Sequence, residues 1–171
     1  MIQVSKTNLE GVLQIVPEAF KDQRGQFVET YNEALYKGKG VEVHFVQDDI
    51  SRSKKDVLRG IHGDRKTSKL VSCIYGKLFF VVVDCREGSK NFGKWQSFEL
   101  SDENRVQIFV PPMYGIAYLV QSEEAIFTYK QSTYFVQGKQ FSYRWDDPRF
   151  KIKWPIINPI LSKRDKAGHY V

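Results

Sequence analysis

One of the three histidines in this chain lies where it could act on a substrate. His62 follows Arg59 and Gly60 in a segment, residues 57–62, that has the composition of a β-strand. Imidazole exchanges protons near neutral pH, so a histidine whose tautomer is fixed by a carboxylate can remove a proton from carbon. Strict alternation places Arg59 on the face opposite His62, unless a bulge at Gly60 re-aims the side chains.

Two further groups would have to work with this histidine. Asp84 and Asp165 are both candidates for the carboxylate that orients His62, and the residues themselves do not choose between them. The acid that returns the proton must stand on the opposite face of the substrate, because only then is a stereocentre inverted. Periodicity does not select the acid among the tyrosines near predicted strands, which are Tyr75, Tyr114, Tyr118, Tyr129, Tyr134 and Tyr143.

The sequence favours chemistry without a metal ion or cofactor. A barrel that binds a metal through histidines would need a second histidine two residues after His62, where this chain has Asp64. Residues 113–118, on a later strand, contain neither imidazole nor carboxylate. Glycine-rich phosphate loops are also missing, so a phosphate would have to bind basic side chains such as Arg59 and Lys69.

Charge and composition limit the kinds of molecule that this protein is expected to bind. The chain has 26 Lys and Arg against 20 Asp and Glu, a net charge of +6 that suits a phosphorylated small molecule. No basic helix or RNA-binding aromatic pattern occurs, so no nucleic-acid partner is expected. Neither a signal peptide nor a membrane-spanning run occurs, and Cys73 and Cys85 are interpreted as buried thiols. We therefore expect a cytoplasmic protein with no membrane partner.

The elements that must position these residues are β-strands. Between residues 57 and 134 the apolar runs are short, rich in β-branched and aromatic residues, and separated by turn signals about every 8 to 12 residues. This spacing predicts an antiparallel sandwich or barrel in a single domain over residues 1–171. From Trp145 onward, prolines punctuate an extended segment that we expect to wrap over the barrel.

Eleven short motifs, taken together, resemble a known family. They occur in family order from about residue 8 to residue 165, and this shared order makes an accidental match improbable. The family is that of the dTDP-4-dehydrorhamnose 3,5-epimerases, and the motifs are Asp22–Gly25, Phe45–Asp48, Ser51–Ser53, Val57–His62, Lys69–Val71, Val83–Arg86, Leu100–Asn104, Pro111–Pro112, Trp145–Pro148, Ile152–Pro155 and Leu161–Asp165.

The resemblance implies a cupin-like jelly roll, usually a homodimer, that epimerises a nucleoside-diphosphate 4-keto-sugar without a metal. It would invert C3, C5 or both, in sugar biosynthesis for bacterial surface polysaccharides. By resemblance His62 is the base, Tyr129 is the acid and Asp165 orients the base, while Asp84 matches a second carboxylate near the sugar. Alternation over residues 125–129 places Tyr129 on an apolar face that we expect to point inward.

The resemblance also assigns residues that bind the substrate. Arg24 and Glu29 are expected to reach the nucleotide in the partner subunit, because the family exchanges N-terminal strands across its dimer. A barrel without its partner would then have an incomplete site. The binding positions carried over are Arg24, Glu29, Gln47, Asp48, Arg59, Lys69, Tyr134 and Arg164.

Several positions depart from the family pattern. Ile116 stands where the family has a histidine that contacts the sugar. Gly63 and Asp64 replace an aromatic residue and a glutamine after the base. Gln140 stands where the family has a glutamate, and Arg164 stands where the family has a lysine. Base and acid are retained, but the sugar pocket is not standard.

Three segments indicate an alternative substrate. Residues 58–64, 73–76 and 82–86 are more similar to the branch of the family that epimerises GDP-linked 4-keto-heptoses for bacterial capsules. Two other functions stay open: a 3,4-ketoisomerase of sugar nucleotides, which would move the carbonyl, and a non-catalytic cupin that only binds a sugar nucleotide.

Overall fold

The structure, a computed structural model, describes residues 1–168, and His169 lies outside this range. Within it, no helix is long and apolar enough to cross a bilayer. The elements are β1 (Ile2–Lys6), β2 (Leu13–Pro17), β3 (Ala19–Asp22), β4 (Gly25–Val28), α1 (Glu33–Lys37), β5 (Gln47–Lys54), β6 (Leu58–Asp64), β7 (Lys69–Tyr75), β8 (Lys77–Asp84), β9 (Trp95–Ser101), β10 (Gln107–Val110), β11 (Tyr114–Val120), β12 (Glu124–Gln131), β13 (Gln140–Ser142) and α2 (Lys163–Lys166).

Two antiparallel sheets face each other and form the jelly roll. One has six strands in the order β1-β2-β10-β7-β12-β5, and the other has five in the order β13-β6-β11-β8-β9. Alternate side chains point between the sheets, and Val71, Phe80, Ile108 and Phe127 are among those buried in this core. The all-β, cupin-like fold predicted from the sequence is confirmed.

A bulge in β6 decides which of its side chains face the core. Arg59 lies opposite Tyr118 of β11, whereas His62 lies opposite Ile116, so β6 has one residue more than its partner between these pairs. Gly60 makes this possible because its φ is +123° and a Cβ there would come within 2.4 Å of a side chain of β11. The bulge therefore places Arg59 and His62 on the same face, which strict alternation would separate.

The C-terminal segment comprises residues 143–168, and its first part, residues 143–154, covers the outer face of the five-stranded sheet, as expected. Phe150 of this segment is buried in a cluster with Ile61 and other apolar side chains of β6 and β8. Further along, the backbone N–H of Leu58 donates to the carbonyl of Ile160 at 3.0 Å. This bond fastens the segment beside β6, so α2, which follows it, lies against that strand.

A separate hairpin, β3 with β4, pairs with neither main sheet. Phe20 and Phe27 lie opposite each other on it, and they are 57% and 70% exposed. Asp22 and Arg24 at its turn form a solvent-exposed ion pair of 2.6 Å. Neighbouring exposed phenylalanines are typical of a surface that meets another molecule.

Candidate active site

A cavity of about 300 Å³ lies between the two sheets, within the size range of small-molecule sites. Side chains from β6, β7, β11, β12 and the C-terminal segment line it. The structure brings together six residues that the family resemblance assigned to one site, namely Arg59, His62, Lys69, Tyr129, Arg164 and Asp165.

His62 and Asp165 are in direct contact at the wall of this cavity. Nε2 of His62 lies 2.8 Å from Oδ1 of Asp165, although an N–H on this nitrogen would not point straight at the oxygen. A lone pair on Nε2 would repel the carboxylate at this distance, so in the neutral ring the contact favours a proton on Nε2 and a free lone pair on Nδ1. Nδ1 is therefore the nitrogen that can accept a proton from a substrate.

Asp165 is held in place by neighbours on both sides. Its Oδ2 accepts from the hydroxyl of Ser162 at 2.6 Å, and its Oδ1 accepts from the backbone N–H of Gly60 at 3.2 Å. Burial alone would raise the pKa of Asp165, but the nearby imidazole of His62, the hydroxyl of Ser162 and the backbone N–H of Gly60 together lower it. The carboxylate is therefore ionised at neutral pH and can hold the imidazole in one tautomer.

Tyr129 faces the cavity from the six-stranded sheet, across from His62. Ala125 and Phe127 share its face of β12 and are buried, so the predicted inward direction of this face is confirmed. Burial raises the pKa of the Tyr129 hydroxyl, and the negative charge of Asp49 raises it further. The hydroxyl is therefore neutral at ordinary pH and can donate a proton.

Three cationic side chains surround the same cavity. Lys69 is 7% exposed, and its Nζ lies 4.9 Å from the centre of the Tyr129 ring. Burial lowers the pKa of the Lys69 amine. Arg59 donates to the hydroxyl of Ser53 at 3.0 Å, and Arg164 donates to side chains of β13 at 3.1 Å. This concentration of positive charge suits a phosphorylated ligand or an anion that forms during a reaction.

Asp84 does not line this cavity, so its expected place near the sugar stays a prediction. It is fully buried at the end of β8, where its carboxylate accepts from the guanidinium of Arg86 at 2.7 Å and from the hydroxyl of Ser89. Burial raises the pKa of Asp84, but the hydrogen bonds from Arg86 outweigh burial and lower it. Its partners are thus local, and its role in the described structure is to fix the turn after β8.

Gln47 and Asp48 are neighbours on β5 that point to opposite faces. Gln47 points between the sheets, where its side chain donates to Asp49 and accepts from the backbone N–H of Phe135, both at 2.8 Å. Asp48 lies on the outer face and pairs with Lys130 at 2.8 Å. Neither lines the cavity, so the structure does not bring them to the site in the way the resemblance implies.

The remaining assigned residues lie outside the cavity of their own chain. Tyr134 is 72% exposed and precedes Phe135, which lines the cavity, so it lies near the rim. Arg24 is at the turn of the β3–β4 hairpin and Glu29 follows β4, and neither lines the cavity. Their expected place in the partner's site stays a prediction.

The cavity also contains residues that sequence reasoning named without giving them a role in the site. The hydroxyl of Tyr118 lies 2.6 Å from the Oγ of Ser51, and both side chains line the cavity. Ile116, two residues earlier on β11, is the neighbour of His62 in the pairing of β11 with β6, and its side chain adds an apolar surface to the cavity. Alternation along β11 would have placed Ile116 and Tyr118 on one face, but it does not tell which face borders a cavity.

Among residues 1–168, no group of three or more His, Cys, Asp or Glu side chains is gathered in a way that could hold a metal ion. The cavity instead has an imidazole and a phenol on facing sheets, together with three cationic side chains. This fold and this set of side chains are typical of a jelly-roll enzyme with a site for an anionic small molecule.

Comparisons with known proteins identify the family. The family model described as dTDP-4-dehydrorhamnose 3,5-epimerase matches residues 6–171. The enzyme of that name from Methanothermobacter thermautotrophicus is 41% identical over 166 residues, which cover 94% of this chain and 90% of the relative. The chain therefore belongs to the dTDP-4-dehydrorhamnose 3,5-epimerase family and is an isomerase.

Solved structures of related enzymes support the same family. The crystal structure of the Legionella pneumophila dTDP-6-deoxy-D-glucose-3,5-epimerase in complex with dTDP-4-keto-L-rhamnose has a TM-score of 0.94 and 36% identity, covering 99% of this chain and 92% of that one. The dTDP-4-dehydrorhamnose 3,5-epimerase of Bacillus anthracis, with TDP and pyrophosphate bound, has a TM-score of 0.96 and 30% identity over the full length of both chains.

Proposed function

We propose that this enzyme epimerises a dTDP-linked 4-keto-6-deoxyhexose at C3 and C5 by proton transfer without a metal. The observation that carries the proposal is the His62–Asp165 pair, which faces Tyr129 across one cavity. Inversion needs a base and an acid on opposite sides of a sugar ring. The names of the relatives support the dTDP-linked substrate, and the Legionella complex supports a 4-keto sugar as ligand.

The reaction begins when Nδ1 of His62 takes the proton from C3. The electron pair of the broken C–H bond moves toward the C4 ketone, whose oxygen becomes negative. Lys69 and Arg59 are the cations placed to stabilise this oxygen. Tyr129 then gives its hydroxyl proton to the carbon from the opposite side, and both side chains regain their starting protonation through solvent. A second round at C5 inverts that centre.

The nucleotide diphosphate binds through charge and an aromatic rim. Arg59 and Arg164 line the cavity and present guanidinium groups that suit phosphate oxygens. Tyr134 offers an exposed ring near the rim, on which a base can stack. GDP-linked 4-keto-heptose is the alternative substrate, and the assay below separates it from the dTDP-linked sugar.

We also propose that the enzyme works as a homodimer and that the β3–β4 hairpin meets the partner. Phe20 and Phe27 expose large apolar surfaces on this hairpin, which a partner would bury. Arg24 at its turn has only Asp22 as a charged neighbour at ion-pair distance within the described residues. In the dimer, Arg24 and Glu29 complete the cavity of the other subunit.

The cellular setting is proposed as the cytoplasm, in a pathway of sugar biosynthesis. Cys73 and Cys85 are both buried free thiols. Thiols persist in reducing compartments, where disulfides are rare.

His62→Asn is expected to fold like the wild type and to lose proton abstraction, because the substituted side chain cannot act as a base. With a dTDP-linked 4-keto-6-deoxyhexose in D2O, the wild type should incorporate deuterium at C3 and C5. The variant should incorporate it about 10² to 10⁴ times more slowly, as is typical when a general base is removed. NMR of the recovered sugar measures this rate.

The controls for this experiment separate the alternatives. Incorporation within a few-fold of the wild type would mean that another group removes the proton. Faster turnover of a GDP-linked 4-keto-heptose would favour that substrate, and a displaced carbonyl would indicate a ketoisomerase. Chelator should leave turnover unchanged, and activity lost with chelator but restored by a divalent metal would contradict the metal-free mechanism.

Tyr129→Phe is expected to uncouple proton removal from inversion. The ring still packs against Phe127, so the fold should be retained. His62 can still remove and return a proton on its own side, so some deuterium enters with retention of configuration, while most net inversion is lost. Chiral analysis of the product measures both. Epimerisation near the wild-type rate would assign the acid to another group, with Tyr134 as the next candidate.

A mixing experiment tests the dimer. Arg24→Ala and His62→Asn should each be inactive alone, yet an equal mixture should regain about one quarter of wild-type activity. Half of the dimers in the mixture contain one subunit of each variant, and one of the two sites in such a dimer has both Arg24 and His62 intact. Light scattering should give twice the chain mass of 19.9 kDa. No recovery in a mixture shown to exchange subunits would contradict the shared site, and a wild-type monomer would contradict the dimer.

A further inference from the structure

Asp49 is an acidic residue of the inner face of β5 that the mechanism above does not use. It lies directly opposite Tyr129 in the pairing of β5 with β12. Burial alternates along β5, and Asp49 belongs to the inward set with Gln47, Ser51 and Ser53. An acidic side chain thus borders the proposed acid from the neighbouring strand.

The carboxylate of Asp49 is held by neutral groups. The side-chain amides of Gln47 and Gln131 both donate to its Oδ2, at 2.8 Å and 2.9 Å. Gln131 is 3% exposed, so the side chain that holds the Asp49 carboxylate is itself buried in the protein. Amides orient a carboxylate without neutralising it, so the full negative charge of Asp49 acts on its surroundings.

We propose that Asp49 is a positioning residue of this site, a fixed negative charge on the strand beside Tyr129 that keeps the Tyr129 hydroxyl protonated. The inference rests on the proposed function, since it concerns the group assigned as the acid. It assigns Asp49 no contact with the substrate.

The cations of the cavity are the reason that a negative charge is needed beside Tyr129. A positive charge near a phenol favours the phenolate, and a phenolate cannot donate a proton. Arg59 acts on Tyr129 in this direction, and the ammonium of Lys69 lies beside its ring. Asp49 acts in the opposite direction, so the cavity can be positive toward its ligand while the acid keeps its proton.

The charges around Tyr129 come from every neighbouring element. Burial raises the pKa of Tyr129 most, followed by Asp49 and then Tyr118 of β11, while Arg59 of β6 lowers it. For Lys69 of β7, burial and Arg164 lower the pKa, whereas Asp64 and Asp49 raise it. The remaining ionisable groups that line the cavity are His62 and Asp165. Removing the charge of Asp49 shifts the pKa of both Tyr129 and Lys69 downward.

Asp49→Asn tests this proposal, because it keeps an oxygen for the two amide donors and removes the charge. The matched control is Asp56→Asn, which removes the same charge at an exposed turn where φ is +64°, a conformation that asparagine tolerates. Protein labelled with ¹³C at the ζ carbon of tyrosine is titrated by NMR, and Tyr129→Phe assigns the resonance. The midpoint for Tyr129 should move to lower pH in Asp49→Asn and stay in place in Asp56→Asn.

Kinetics give a second measurement. The alkaline limb of kcat/KM should move to lower pH in Asp49→Asn, with about a tenfold loss per pH unit of displacement above that limb. Asp49→Ser is used if Asp49→Asn does not fold, as judged by circular dichroism. A Tyr129 midpoint that is unchanged in the folded variant overturns the proposal, whatever the activity. A wild type without epimerase activity would overturn the proposed function instead, because the NMR titration does not depend on turnover.

Discussion

The contact between His62 and Asp165 is the interaction on which the arrangement of the site depends. It joins a strand from the middle of the jelly roll to a helix at the end of the described chain. The carboxylate is almost fully buried, and a buried carboxylate is stable only when its oxygens keep polar partners, which here are His62, Ser162 and the backbone N–H of Gly60. The bulge at Gly60 and the backbone bond from Leu58 to Ile160 both bring the two residues together.

A second constraint is electrostatic. In the proposed mechanism, the same cavity must attract a negatively charged ligand, stabilise a developing oxyanion and keep a phenol protonated. Lys69, Arg59 and Arg164 serve the first two needs and oppose the third. Burial and the carboxylate of Asp49 oppose the cations at Tyr129. The proposed base on β6 and the proposed acid on β12 also lie on different sheets, so in this proposal the gap between the sheets sets the space for the sugar.

Patterns among neighbouring residues in the sequence predicted the strands, the turns and the direction of individual side chains. Alternation gave the inward face of Tyr129, and turn spacing gave the antiparallel sheets. The carboxylate partner of His62 was left open between Asp84 and Asp165, because pairing across the fold has no local signal and only the family motif favoured Asp165. The sequence also gave no sign that Asp84 would bind the side chain of Arg86, two residues away. Asp49 was missed because register between β5 and β12 is a tertiary property.

The tautomer of His62 tests most directly whether Asp165 prepares it as a base. Long-range ¹H–¹⁵N correlation spectra of the ¹⁵N-histidine-labelled enzyme report the protonation of each ring nitrogen, and His62→Asn assigns the signals. In the neutral ring, the contact with Asp165 requires a proton on Nε2 and a bare Nδ1. Asp165→Asn should weaken this preference. A neutral His62 with its proton on Nδ1 would contradict the account, because the lone pair would then face Asp165 and no free base would remain.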